Sequence, residues 1–127
     1  MCGTDMEHST EILYNKTEVF CSAEHRFGSD ALLLARFAPP KRAQKAADLC
    51  SGCGIVSLEW HDSGHRGECA AVELQPAASA LLAQALAQQG IDHITPYCAD
   101  LRGFRQGEGS FDLCACNPPY FTAGLQS

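Results

Sequence analysis

The sequence predicts an α/β fold in which a doubly wound, parallel sheet follows an N-terminal hairpin and helix. From residue 46 onward, short apolar runs typical of buried strands alternate with longer segments of helical composition. The small-residue turn Ser51–Gly54 separates the first of these strands from a helix, and Pro76 and Gly90 bracket the next helix. Strand–helix–strand units of this kind are connected by right-handed crossovers, so the sheet should be parallel.

Each element has its own local signals along the chain. Ahead of the sheet we expect a frayed terminus at residues 1–10, a hairpin of Ile12–Tyr14 with Val19–Cys21, and a helix over Asp30–Ala38 that Ser29 caps and Pro39 ends. The sheet should contain strands Ala46–Cys50, Cys69–Glu73, Ile94–Cys98 and Phe111–Cys116, with helices Ile55–His61 and Ala77–Gln89 between the first three. Pro96 lacks a backbone N–H, which places the third strand at a sheet edge. The chain therefore divides into an extension over residues 1–40 and a sheet domain over residues 41–127.

The composition of the 127-residue chain indicates a globular protein, because 46% of its residues are hydrophobic and 19% are charged. No apolar run reaches the length of about 18 residues that a membrane-spanning helix needs. The polar, acidic start differs from a secretory signal peptide, so we expect a cytoplasmic protein. The net charge is −6, yet residues 14–45 contain six basic and three acidic residues. That segment is either a basic face for nucleic acid or an ordinary solvated surface.

The eight cysteines favour free, mostly buried thiols over a metal site. Cys50 and Cys53 have the spacing of zinc ligands, but no second Cys pair or His pair completes a four-ligand set. We therefore expect no bound metal.

Polar groups follow the predicted strands at their carboxyl ends, where ligands bind in open α/β sheets. These groups are Asp48 with the turn Ser51–Gly54, Glu73, Asp100, and the sequence Asn117-Pro118-Pro119-Tyr120. Gly52 and Gly54 allow the backbone to turn tightly and approach a ligand closely. Together with Ser57 they also approximate a dinucleotide fingerprint. Three carboxylates around one pocket, however, disfavour a pyrophosphate and favour a cofactor that carries a positive charge and ribose hydroxyls.

The sequence Asn117-Pro118-Pro119-Tyr120 should form a rigid mouth directly after an apolar strand. Proline fixes φ near about −65° and donates no N–H, so the carbonyl oxygens of this segment are free to face a ligand. The Asn117 amide offers a further acceptor, and Tyr120 offers a flat aromatic face. Such a mouth suits a planar amine or amide whose N–H groups need acceptors.

In this order, the segments Asp48–Gly54, Ala71–Leu74, Ala99-Asp100 and Asn117–Tyr120 resemble the motifs of class I S-adenosylmethionine-dependent methyltransferases. The Asn-Pro-Pro-Tyr sequence is similar to that of the branch that methylates exocyclic or amide nitrogens. Upstream, Phe27–Ala35 resembles the bacterial tRNA (adenine-N6) methyltransferases that act on valine tRNA. The resemblance implies a Rossmann-like sheet, S-adenosylmethionine as the cofactor and tRNA as the substrate.

The same resemblance implies a set of cofactor contacts at the loop and strand ends: Asp48, Ser51, Gly52, Gly54, Glu73, Asp100 and Asn117. Asp48 would hold the methionine amino group through water. Glu73 would accept hydrogen bonds from the ribose hydroxyls, and Asp100 from the adenine amino group. The two glycines would pass beneath the cofactor.

The resemblance assigns catalysis to Asn117, Pro118 and Tyr120. The Asn117 side chain and the Pro118 carbonyl would accept both N–H groups of the target amine, and Tyr120 would stack on the target base. Accepting both hydrogens draws the nitrogen toward tetrahedral geometry and directs its lone pair at the methyl group, so no strong base is needed. Positioning by Tyr120 would contribute the rest.

Two features depart from that family. Cys50 stands where the first glycine of the loop is common. The family's sheets have seven strands, whereas four are predicted here, so the cofactor-binding domain over residues 41–127 should be partial and truncated after the fourth strand. That strand would then be an exposed edge, which a second copy in a homodimer could cover.

Three alternatives remain open at this point. The first is a non-catalytic remnant or interaction module of the same fold. The second is a methyltransferase for ribosomal RNA guanine or release-factor glutamine. The third is a fragment of a dinucleotide-binding oxidoreductase, in which the Asn117–Tyr120 mouth has no role.

Overall fold

The computed structural model describes residues 8–100, 102, 104 and 110–117, which form six strands and three helices. In chain order they are β1 (Ser9–Ile12), β2 (Glu18–Cys21), α1 (Ser29–Phe37), β3 (Ala46–Leu49), α2 (Ile55–Asp62), β4 (Cys69–Glu73), α3 (Pro76–Gln89), β5 (Ile94–Cys98) and β6 (Leu113–Cys116). Within these residues, no helix is both long and apolar enough to cross a membrane.

Strands β3 to β6 form one parallel sheet in the order β5-β4-β3-β6, and β1 pairs with β2 in an antiparallel hairpin. The sequence-based fold class is confirmed. From β3 the chain moves outward through β4 to β5, and then returns to place β6 on the other side of β3. Ligand crevices in such sheets lie at the carboxyl ends of the strands where this reversal occurs. The cofactor site should therefore lie beyond the carboxyl end of β3.

Both outer strands of the sheet match their expected places. Within the described residues β5 pairs only with β4, as Pro96 suggested, and β6 pairs only with β3. The second edge of β6 is thus unpaired in the described part of the chain. A homodimer that covers this edge stays a prediction.

Three boundary predictions are wrong. Ser9 and Thr10 belong to β1 and pair with Cys21 and Phe20, so these residues are not a frayed end. Ser29 is the first residue of α1 rather than its cap; Gly28 occupies the cap position without a side-chain hydrogen bond. Strand β6 begins at Leu113 rather than Phe111. Its pairing with β3 starts where the backbone N–H groups of Asp112 and Leu113 donate to Lys45 O, at 2.7 and 3.3 Å.

The core lies between one face of the sheet and a layer of helices. The crossovers β3-α2-β4 and β4-α3-β5 run in the same direction, which places α2 and α3 on the same face. Trp60 of α2 and Leu81 and Leu82 of α3 are at most 1% exposed. Trp60 also donates a hydrogen bond from Nε1 to Ala35 O at 3.2 Å, which fixes α1 against α2.

The N-terminal hairpin is attached to the ends of both sheet helices. Buried Asp62, at the end of α2, accepts hydrogen bonds from Asn15 N at 2.8 Å and Thr17 N at 3.1 Å. Gln89, at the end of α3, exchanges two hydrogen bonds with the Glu18 backbone, at 2.7 and 2.9 Å. These contacts hold the turn of the hairpin and the start of β2 against the C-terminal ends of α2 and α3. The division of the chain at residue 40 stays a prediction.

Candidate cofactor site

The loop after β3 turns through three residues with left-handed backbone. Cys50, Gly52 and Gly54 have φ values of 61°, 56° and 91°. A Cβ at Gly54 would overlap the Leu82 side chain of α3, whereas one at Gly52 would meet nothing within 4 Å. Gly54 is therefore needed for both its φ and the close packing of two helices, and Gly52 is needed for its φ alone.

Glu73, the last residue of β4, fastens this loop to the neighbouring strand. Its Oε1 accepts a hydrogen bond from Gly52 N at 2.7 Å, and its Oε2 accepts one from Gln75 N at 2.9 Å. A carboxylate has about four lone-pair sites, so each oxygen retains capacity for a further donor. The Glu73 side chain is partly exposed and lines a cavity above the loop.

The cavity has a volume of about 490 Å³, which is within the usual range for small-molecule sites. Three parts of the chain line it: residues 24–28 before α1 with Asp30 in its first turn, the loop 50–53 with Ile55, and the ends of β4 and β6 with the start of α3. Ser51 Oγ is buried at this wall and has no hydrogen-bond partner within the described residues. A buried hydroxyl without a partner in the wall of a cavity calls for an explanation, and a group outside the described residues could satisfy it.

Four of the predicted cofactor residues line this one cavity: Ser51, Gly52, Glu73 and Asn117. They come from three neighbouring strand ends, β3, β4 and β6. Pro118 and Tyr120, which were assigned to catalysis, lie outside the described residues.

Asp48 lies beneath the loop and does not line the cavity. It is 1% exposed, and its Oδ2 accepts hydrogen bonds from Ser57 N at 3.1 Å and Ser57 Oγ at 2.7 Å. Burial raises the pKa of Asp48 to about 7, against the lowering effect of the Ser57 hydrogen bonds. The direct contact of this carboxylate is thus with the first turn of α2.

Asp100 lies after β5 and outside the lining of the cavity. It forms an ion pair with Arg102, with Nη2 and Oδ2 separated by 2.7 Å, and it accepts a second hydrogen bond from Arg102 N. These hydrogen bonds lower the pKa of Asp100 to about 2, so it is ionised at neutral pH. An incoming donor would have to share this carboxylate with Arg102.

The cysteines near the loop are free thiols. Burial, and then the neighbouring Cys116 thiol, raise the pKa of Cys50 to about 11, so it stays protonated at neutral pH. Cys53 is buried beside the cavity. In the described part of the chain, no group of three or more His, Cys, Asp or Glu side chains is arranged to hold a metal ion.

The sequence reasoning missed the cavity wall formed by residues 24–30. Glu24, His25, Arg26 and Asp30 line the cavity together with Phe27. Part of this stretch carried the family resemblance, but no role was drawn from it. The available signal is a run of charged and aromatic residues between a hairpin and a helix, where functional loops are common.

The chain matches the family model described as methyltransferase small domain over residues 10–127. It is 32% identical over 99 residues to a protein of Serratia proteamaculans and 35% identical over 104 residues to one of Pasteurella multocida. Both carry the name tRNA1(Val) (adenine(37)-N6)-methyltransferase. The matches cover 76% and 79% of this chain, but 38% and 44% of the relatives, so the chain spans about two fifths of their length.

Solved structures show the same fold. The SAM-dependent methyltransferase from Agrobacterium tumefaciens superposes with a TM-score of 0.63 at 20% identity, over 90% of this chain and 40% of that one. P. horikoshii TYW2 in complex with MeSAdo gives 0.62 at 18% identity, over 77% and 38% of the two chains. The sheet, the glycine loop and the cavity at its carboxyl edge define a Rossmann-like methyltransferase fold. The chain belongs to the methyltransferase small-domain family.

Proposed function

We propose that this chain is the cofactor-binding part of an S-adenosylmethionine-dependent N-methyltransferase that modifies the exocyclic N6 amine of a tRNA adenine. The observation that carries the proposal is the position of Glu73. Its carboxylate fixes the glycine loop and still faces a cavity that Asn117 also lines. The family membership and the names of the relatives support the reaction and the tRNA substrate.

The residues present suit this cofactor. Glu73, which lines the cavity, is proposed to accept hydrogen bonds from two ribose hydroxyls, and Ser51 is proposed as a further polar contact. Asp48 supports the site indirectly. Its carboxylate accepts a hydrogen bond from Ser57 N and so fixes the first turn of α2, which follows the glycine loop. Asp100 is proposed to meet the adenine amino group. When bound, S-adenosylmethionine supplies an electrophilic methyl group.

The target side of the reaction is assigned to the end of β6. Asn117 accepts a hydrogen bond from the target amine and so directs the nitrogen lone pair into the cavity. The Pro118 carbonyl is proposed to accept the second N–H, and Tyr120 to stack on the base. One preorganised polar contact of this kind contributes about 3 kcal/mol to lowering a barrier.

Calorimetric titration with S-adenosylhomocysteine and, separately, with NAD tests the cofactor. We expect S-adenosylhomocysteine to bind and NAD not to bind. Glu73→Gln should weaken S-adenosylhomocysteine by about tenfold or more, because it removes charge-assisted hydrogen bonds. Glu68→Gln is the matched control, because Glu68 immediately precedes the amino end of β4, away from the cavity. The affinity of this variant for S-adenosylhomocysteine should equal that of wild type. Binding of NAD alone would refute the proposal.

A methyl-transfer assay tests the substrate. Unmodified valine tRNA, ribosomal RNA and release factor are offered in parallel with labelled cofactor, and transfer to valine tRNA is expected to dominate. Transfer to guanine or to a release-factor glutamine would move the chain to another branch of the family. Cofactor binding with transfer to none of the three would favour the non-catalytic alternative.

A further inference from the structure

Two cysteines lie on adjacent parallel strands at the edge of the cofactor cavity. Cys116 is the last residue of β6, and it pairs in register with Leu49, the last residue of β3. Cys50 follows Leu49 directly, so the two cysteines are one step out of register with each other. Neighbouring strands are about 4.8 Å apart, and this register allows the Cα separation of about 4.4–6.8 Å that a disulfide requires.

The two side chains interact, and one of them is open to solvent. Burial first, and then the charge and hydrogen bonding of the Cys116 thiol, raise the pKa of Cys50 to about 11. Both residues are free thiols; Cys116 is exposed and Cys50 is half-buried. A reagent can therefore reach Cys116 from solvent, and the Cys50 thiol lies beside it as a second partner.

The spacing of Cys50 and Cys53 would also allow a bridge within the loop, but the structure gives these two thiols different neighbours. Cys53 is 2% exposed, and its thiol interacts with that of buried Cys21 in β2. Burial raises the pKa of Cys53 well above that of an ordinary thiol, which makes it a poor nucleophile. The thiol that interacts with Cys50 is instead that of Cys116.

Cys50 occupies a position of the loop that suits glycine better than cysteine. Its φ of 61° lies in the left-handed region, which residues with a side chain rarely adopt. Backbone strain of this kind clusters at functional sites. Cys50 lines the cofactor cavity, and Cys116 directly precedes Asn117, which lines it too. A bond between the two cysteines would therefore join two walls of the cavity.

We propose that Cys50 and Cys116 form a reversible disulfide, a modification site that weakens cofactor binding when the bridge is closed. Closing the bridge brings the two sulfur atoms to a bond length of about 2.05 Å, which draws the loop and the end of β6 together and narrows the cavity. Exposed disulfides are the more easily reduced ones, so the bridge opens again. The site itself is independent of the cofactor's identity, and its effect on binding rests on the proposed function.

The oxidant in this proposal is a small-molecule disulfide such as oxidised glutathione, and the bridge forms in two exchange steps. The Cys116 thiol loses its proton, attacks one sulfur of the oxidant and releases the first small thiolate. The Cys50 thiol then loses its proton and attacks the Cys116 sulfur of the mixed disulfide, which releases the second. Two protein thiols are oxidised, one small disulfide is reduced to two thiols, and the two protons pass to these thiols.

Mass spectrometry of the whole chain, incubated with oxidised and reduced glutathione and then digested, tests the site. Wild type should contain the Cys50–Cys116 bridge, and dithiothreitol should restore both thiols. Cys114→Ser removes an exposed thiol from the same strand and should leave the bridge unchanged. A bridge between Cys50 and Cys53, or oxidation that stops at a mixed disulfide on Cys116, would overturn the inference.

Calorimetric titration of the reduced and the oxidised chain with S-adenosylhomocysteine tests the effect on binding. The bridge should weaken the affinity of wild type by about fivefold or more. The same oxidation should leave the affinities of Cys116→Ser and Cys50→Ser unchanged, and if one of these variants unfolds, the other provides the control. Because the coupling is reciprocal, saturating S-adenosylhomocysteine should lower the equilibrium ratio of bridged to reduced wild type by the same factor.

The outcomes separate the two proposals. Equal affinity of the bridged and the reduced chain would overturn the inference and leave the cofactor assignment intact. If the reduced wild type does not bind S-adenosylhomocysteine, the proposed function fails and the effect on binding fails with it. The mapped bridge decides in that case whether the thiol pair is a modification site.

Discussion

The two ends of the same parallel strands are built from different chemistry. At the carboxyl ends, carboxylates hold backbone N–H groups: Glu73 holds Gly52 and Gln75, and Asp48 holds Ser57 in the first turn of α2. At the amino ends, two carboxylates, Asp62 and Asp112, also accept backbone N–H groups, and cationic and imidazole groups donate to carbonyl oxygens as well. The N-termini of α2 and α3 lie at the carboxyl ends of the strands, where the helix dipoles favour negative side chains. The C-termini of these helices lie at the amino ends, where the dipoles favour positive side chains.

The amino edge shows the second pattern in detail. Arg66 Nη1 donates to His61 O in the last turn of α2 at 2.7 Å and to His65 O at 2.8 Å. His93 Nδ1 lies 2.7 Å from Gly67 O, so it must donate, and its Nε2 lies within hydrogen-bond distance of His61 Nδ1, at 2.8 Å. Burial lowers the pKa of His61 to about 4, with smaller effects of Arg66 and His93, so the His61 ring is neutral at neutral pH.

A cavity alone does not distinguish the two edges. The amino edge has one of about 370 Å³, lined by Lys45, Glu68, His93 and Phe111 among others. There Lys45 is already paired with Glu68 at 3.3 Å and lies over the Phe111 ring at 5.4 Å. At the carboxyl edge, by contrast, the Glu73 carboxylate holds the backbone of the glycine loop and lines the cavity at the same time.

The largest expected effect comes from the glycine that brings α2 close to α3. Gly54→Ala should lower the free energy of unfolding by about 2–6 kcal/mol, since it adds overlap with Leu82 to a strained φ. Gly64→Ala, after the other end of α2, should cost only the backbone strain of about 1–3 kcal/mol, because a Cβ there meets nothing within 4 Å. Urea unfolding measures both.

A double variant sharpens this comparison. Truncating the clashing partner with Leu82→Ala should make the added methyl at Gly54 less costly, with a coupling free energy of about 0.5–3 kcal/mol. Equal losses for Gly54→Ala and Gly64→Ala, or additivity with Leu82→Ala, would show that close helix packing is not the reason for this glycine.

The two edges should also respond oppositely to pH. The folded-state pKa of Asp48, about 7, lies above its ordinary value of 3.8, so its contribution to stability is present at low pH and lost as pH rises toward 7. The folded-state pKa of His61, about 4, lies below its ordinary 6.5, so its contribution is present above 6.5 and lost as pH falls toward 4.

Single substitutions at each edge separate these opposing terms. Asp48→Asn should make stability rise more steeply between pH 4 and 7, by on the order of 1 kcal/mol per pH unit. His61→Asn should make it rise less steeply over the same range. Denaturant unfolding at several pH values measures the slopes. Slopes that change in the same direction for both variants would contradict the assigned protonation states.

Local patterns were sufficient for the sheet and its helices but not for everything that surrounds the site. Pro76 and Gly90 fix the ends of α3 because a missing N–H and a positive φ are local properties. The position of Asp48 in the strand could be predicted from the sequence. The face of the sheet from which its side chain projects could not, because that depends on the strand register. Asp48 pairs with Ala71, a residue of the core face, so its side chain points into the helix layer. The run of charged and aromatic residues at 24–30 marks a candidate functional loop, but the cavity that it lines depends on contacts distant in sequence.

The smallest effect is expected at the amino-edge ion pair. The side chains of Lys45 and Glu68 are 37% and 77% exposed, so solvent screens most of their attraction. Lys45→Gln should lower the free energy of unfolding by less than about 1 kcal/mol and leave the affinity for S-adenosylhomocysteine unchanged. Urea unfolding and calorimetric titration at low and high salt measure both quantities. A change in cofactor affinity would mean that the charge at the amino edge influences binding at the carboxyl edge. The two edges would then not be functionally independent.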